Sequence, residues 1–128
     1  MRIINKLYND AGDLQTPVDG VYTLVTDTYY AELADAVDER SKLSVQWTYS
    51  AALVAAITIE ATNDPDLSLF DTSTTAGWAT TSATTVSPAA SAGTALQHYA
   101  DYMAGRARAK IFVTTGGTLK GHEHSKRG

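Results

Sequence analysis

The chain has no cysteine among its 128 residues. A disulfide framework and thiol chemistry are thereby excluded, while the redox compartment stays open. Long apolar runs are missing too, and no stretch approaches the roughly 18 residues of a membrane-spanning helix. Residues 1–7, Met-Arg-Ile-Ile-Asn-Lys-Leu, lack the apolar centre of a secretory signal. The expectation is synthesis in a cytoplasm, without a signal peptide and without a membrane partner. Phosphate-loop spacing is absent as well. Gly116-Gly117-Thr118-Leu119-Lys120 has the wrong glycine spacing, and no helical pattern follows it.

What is present is enough apolar material for one core: 44% of the residues are hydrophobic, which argues against global disorder. The stretch from Lys42 to Asn63 organises the rest. Leu43, Val45, Trp47 and Tyr49 share one side of an extended chain, and Leu53, Ala55, Ile57, Ile59 and Ala61 share one side of the next run. Period-two alternation rich in β-branched and aromatic residues predicts half-buried strands. The small residues Ser50-Ala51-Ala52 between them predict an antiparallel hairpin. Arg106 to Thr115 is the next clearest strand. It sets Ala107, Ala109, Ile111 and Val113 against Arg106, Arg108, Lys110 and Phe112. Gly116-Gly117 then predicts a second hairpin turn, with positive φ at both glycines.

Weaker strands are expected within Val21–Tyr30, around Trp78 to Val86, and within Thr94–Met103. After Tyr30 a short helix and an extended loop both fit the spacing of Tyr30, Leu33 and Val37. The predicted fold is all-β, an antiparallel, jelly-roll-like β-sandwich of about seven or eight short strands. Val45, Trp47, Ile57, Ile59, Ile111 and Val113 are its expected core. Residues 1–20 read as an N-terminal arm or edge strand, 21–121 as the sandwich, and 122–128 as a polar basic C-terminal tail.

Charge is unevenly distributed. Residues 1–104 carry 4 basic and 13 acidic side chains, whereas residues 105–128 carry 6 basic and 1 acidic. An acidic body with a basic end predicts a partner for that end. The interaction candidates are Arg106, Arg108 and Lys110 on one strand face, with Lys120, Lys126 and Arg127 near the terminus. The acidic group Glu32, Asp35, Asp38 and Glu39 of a neighbouring copy is their expected complement. A pI near 5.2 argues against direct nucleic-acid binding.

Signals for chemistry are sparse. His122 and His124 share a strand face and are the candidate metal pair, but a site needs three or four ligands, so a solvated tail is preferred. His98 reads as a structural histidine. Asn63, Asp64, Asp66 and Asp71 place oxygen donors in one loop without EF-hand spacing, so a turn is expected. No catalytic residue and no cofactor is assigned, and the expectation is a protein that is not an enzyme.

The order of the motifs adds a resemblance. Ser44-Val45-Gln46-Trp47-Thr48 is followed by a strand ending Ile57-Thr58-Ile59-Glu60-Ala61-Thr62-Asn63-Asp64. Then come Trp78, the small-residue stretch Ser91-Ala92-Gly93, and Arg106-Ala107-Arg108-Ala109-Lys110-Ile111-Phe112-Val113-Thr114 with its glycine hairpin. Over residues 40–121 this resembles the small β-sandwich structural and accessory proteins of bacteriophage virions. Two departures are the missing glycine at Ser50–Ala52 and Pro65 after Asn63-Asp64. The resemblance implies a non-enzymatic virion protein, whether capsid-associated, decoration, spike or tail-associated. It also implies location in the virion, homo-oligomers, and other virion proteins as partners. The alternative is a carbohydrate-binding β-sandwich module for host-surface attachment, with Trp47, Trp78 and several tyrosines as glycan-stacking candidates.

Overall fold

The computed structural model describes residues 2–33, 42–72, 77–86, 93–99 and 106–126. They form ten strands: β1 (Arg2–Ile3), β2 (Tyr8–Asn9), β3 (Tyr22–Leu24), β4 (Asp27–Glu32), β5 (Lys42–Tyr49), β6 (Val54–Thr62), β7 (Ala79–Val86), β8 (Gly93–Tyr99), β9 (Arg106–Thr115) and β10 (Gly117–Lys126). Sheet A has the order β1-β10-β5-β8, with β3 also on β10. Sheet B has the order β2-β4-β9-β6-β7. Every pairing is antiparallel.

This order has a simple origin. β3 pairs with β10, β4 with β9, β5 with β8, and β6 with β7. The pairs are nested, as in one long ribbon doubled back on itself between β6 and β7. Rolling the ribbon adds the contacts β10–β5 and β9–β6. The result is a jelly roll, a closed answer to the problem of burying one face of every strand.

The core lies between the sheets and is built by alternation. Val45 and Trp47 of β5 meet Ala55, Ile57, Ile59 and Ala61 of β6, together with Ala107, Ala109, Ile111 and Val113 of β9; all are buried. All six expected core residues are therefore inside. β1 and β2 belong to the two sheets, and the chain between them sends Ile4 and Leu7 into the core. Arg2–Ile3 and Tyr8–Asn9 are thus edge strands of the two sheets.

Both expected hairpins are corrected. β5 lies in sheet A and β6 in sheet B, so Ser50–Ala52 carries the chain across the sandwich. Gly116 likewise connects β9 in sheet B to β10 in sheet A. The two crossings lie side by side: the Ser50 amide donates to the Thr118 carbonyl at 3.1 Å, and the Thr118 amide donates to Ser50 Oγ at 2.9 Å. The glycines are needed for close approach. A Cβ on Gly117 would stand 2.6 Å from Ser50 Oγ, and one on Gly116 would stand 2.6 Å from the Leu24 carbonyl oxygen. The left-handed backbone expected there is found instead at Gly12, with φ of 88°, and at Asp19 and Gly20, with φ of 52° and 79°. Asp19 and Gly20 close the tight Val18–Val21 turn.

The expected strand within Val21–Tyr30 is split into β3 and β4, which lie in different sheets. The choice between helix and loop beyond Leu33 falls on residues 34–41, outside the described residues. The C-terminal tail is also corrected. β10 runs to Lys126 and pairs with β5 along its length. Within it Glu123 is fully buried and joined to Arg2 of β1 at 3.0 Å.

Candidate functional site

The outer face of sheet B carries the unusual chemistry. Alternation along β9 sends Arg106, Arg108, Lys110 and Phe112 to this side. The connection between β6 and β7 folds back over the first part of it. Asp64 and Ser68 start local turns through side-chain acceptors, with Asp64 Oδ1 taking the Asp66 amide at 2.9 Å. This explains the Asn63–Asp71 oxygen cluster as turn chemistry. Among the described residues, no group of three or more His, Cys, Asp or Glu side chains could hold a metal.

Arg108 lies beneath that connection and is almost completely buried. Its Nε and Nη2 each lie 2.8 Å from Glu60 Oε1, and its Nη1 donates to the Leu69 carbonyl at 2.6 Å. The guanidinium also stacks 4.8 Å from the Trp78 ring and 5.0 Å from the Tyr30 ring. Arg106 repeats the pattern nearer the surface. Its Nε donates to Glu32 Oε1 at 2.7 Å, and its Nη1 donates to the Leu67 carbonyl at 2.7 Å. A buried charge is costly unless paired, and buried carbonyls need donors; the two arginines meet both demands together. Phe70 completes the cover, its ring edge-on to Tyr8 and Tyr30 with centroids 5.8 and 5.4 Å away. Burial is the first cause that raises the Tyr30 hydroxyl above its ordinary pKa, followed by the nearby Asp10 carboxylate.

The basic stripe expected on β9 is therefore not a free surface. Arg106 and Arg108 serve the fold, and Glu32, the expected acceptor on a neighbouring copy, is taken within the chain. Asp35, Asp38, Glu39 and Arg127 lie outside the described residues. Trp47 and Trp78 are both buried and offer no stacking platform. Trp78 spends its indole N–H on the Ser68 carbonyl at 2.9 Å. On β10, Lys120 and His122 are half-buried and His124 is exposed; their register partners on β5 are Thr48, Gln46 and Ser44. Lys126 ends that strand.

Past Arg108 the cover stops. Ala56, Thr58, Glu60, Thr80, Lys110 and Phe112 line a shallow groove of about 300 Å³. Phe112 is 51% exposed, unusual for a phenylalanine. It supplies a flat apolar ring, beside the Lys110 ammonium and the Thr58 and Thr80 hydroxyls as polar groups. The sequence places Phe112 on the outer face, but it does not single the residue out as exposed; that depends on where the distant residues 63–72 and Trp78 end their cover.

No protein-family model matches the chain, and no curated protein matches it. Among solved structures, it is similar to one described as "CBM4 structure and function". The TM-score is 0.52 at 11% identity, covering 83% of this chain and 70% of that one. At that identity the likeness is one of fold, and the chain is an all-β antiparallel sandwich.

Proposed function

We propose that this chain is a non-catalytic recognition module that binds a glycan on the open part of the outer face of sheet B. The observation that carries this reading is the half-exposed Phe112 ring in a groove edged by Lys110, Thr58 and Thr80. Pyranose rings have apolar faces and polar rims. An aromatic platform with hydroxyl and ammonium groups beside it matches both. The similar solved structure is named for a carbohydrate-binding module, which supports the same reading at the level of fold.

The test is binding to a panel of immobilised neutral and acidic oligosaccharides. Wild-type protein is expected to select at least one of them. Phe112→Ala should weaken that binding about tenfold, because covering the rest of the ring is worth roughly 1.4 kcal/mol or more. Binding that survives Phe112→Ala unchanged refutes this site.

A second reading is a virion assembly subunit. It draws on the sequence resemblance and on the rolled-ribbon strand order, an architecture shared by viral capsid and lectin domains. Fold alone does not decide between the two. Copurification with phage particles, together with a multimer by light scattering, supports this setting. A monomer that associates with no particle counts against it.

A further inference from the structure

A second recess lies on the opposite side of the Arg108–Glu60 pair from the Phe112 groove. Its volume is about 780 Å³, within the range of small-molecule sites. Three cations line it, Arg2, Lys6 and Arg106, against one carboxylate, Glu32. That carboxylate is already held by Arg106 at 2.7 Å. Lys6 is exposed and enters no ion pair among the described residues. Arg2 spends Nη2 on Glu123, but its Nε is buried and is the one buried side-chain polar atom among the described residues without a hydrogen-bond partner. The Arg2 side chain as a whole is 37% exposed, so its guanidinium edge, not the shielded Nε, is what the recess can reach. The rest of the lining is mostly apolar or aromatic, with Ile4, Leu33, Leu69, Phe70 and Tyr8, and Asn5 adds one uncharged polar side chain.

We infer that this recess binds a small organic carboxylate with a ring-shaped body. The carboxylate oxygens accept from Arg2 and Lys6, where charge assistance makes each hydrogen bond stronger than a neutral one. The ring packs against Phe70 and the aliphatic side chains. Two kinds of compound present this chemistry, a sugar acid and an aromatic acid. The site shares no lining residue with the Phe112 groove, so its fate is independent of the glycan reading.

The experiment is calorimetric titration of the full chain with D-glucuronate and with benzoate. Glucose, benzyl alcohol and inorganic phosphate are the comparison ligands. At least one carboxylate should bind about tenfold or more tightly than its uncharged counterpart and than phosphate, and whichever binds identifies the body. Lys6→Glu, at an exposed position that leaves the core intact, should weaken that binding at least about tenfold. Phe112→Ala should leave it unchanged. The proposal is overturned if the carboxylates bind no better than their uncharged counterparts, if phosphate binds as well, or if Lys6→Glu has no effect.

Discussion

Arg108 and Phe112 stand four residues apart on the same side of β9, and their burial is the reverse of what their chemistry suggests. The arginine is 1% exposed and the phenylalanine 51%. The difference comes from the connection between β6 and β7. Its carbonyls at Leu67 and Leu69, with the ring of Trp78, close over the arginines and stop short of Phe112. One part of the outer face is thus converted into a second, polar core. The other part stays available to a ligand. Burial on a sheet's outer face is decided by what the chain lays over it, so residue type along the strand is a poor guide there.

The largest expected effects are in the two cores. Arg108→Ala leaves Glu60 buried without its partner and the Leu69 carbonyl without its donor, and should destabilise the fold by about 3–5 kcal/mol. Trp47→Ala, in the core between the sheets, should cost about as much, roughly 3–5 kcal/mol, through the cavity it opens. Urea denaturation of both variants measures the comparison directly. An Arg108→Ala loss well under that of Trp47→Ala would mean that the covered part of the outer face is an ordinary surface.

A smaller effect is expected where the crossings meet. Gly117→Ala drives a Cβ to within 2.6 Å of Ser50 Oγ and 2.8 Å of the Leu53 nitrogen. Overpacking of this kind costs about 1–3 kcal/mol. A neutral result in the same denaturation assay would show that the adjoining crossings yield easily.

Alkaline pH separates covered from open tyrosine environments. Burial raises the hydroxyls of Tyr22 and Tyr30 above their ordinary value of 10.0, with Asp10 adding to the effect at Tyr30. The unfolded chain releases these protons near pH 10 while the folded chain retains them. Their stabilising contribution is therefore full below about pH 10 and is lost as pH rises through the folded values. Tyr30→Phe should flatten that decline relative to wild type. An identical slope in the two proteins would place the proton uptake elsewhere.

The inner faces were legible because alternation is a local property. Val45 and Trp47, Ile57 and Ile59, and Ile111 and Val113 sort themselves by period two. Pairing partners were not legible in the same way. The sequence neighbours β5 and β6 suggested a hairpin, yet in a rolled ribbon the partner of β5 is β8 on one side and β10 on the other. Small residues at Ser50–Ala52 and glycines at 116–117 suit a tight turn and a tight crossing equally well. The buried charges were hidden for a related reason. Arg108 meets Glu60 across a sequence separation of 48, and Arg2 meets Glu123 across 121. Each residue alone looks like a solvated charge. An acidic residue placed among the apolar positions of β10 was the available hint for Glu123, but its polar neighbours suggested a tail.

The smallest stability effect belongs to Phe112→Ala, which should fall within about 0.5 kcal/mol of wild type because the ring is already half exposed. That tolerance makes the open part of the face suitable for the most direct test. Backbone amide shifts, followed by nuclear magnetic resonance during titration with the oligosaccharide selected from the panel, locate the ligand without altering the protein. For a neutral oligosaccharide the account predicts perturbations centred on Phe112, Lys110, Thr58 and Thr80, with the core residues Val45 and Trp47 of sheet A unmoved. Perturbations confined to sheet A, or absent from the Phe112 groove, would contradict it.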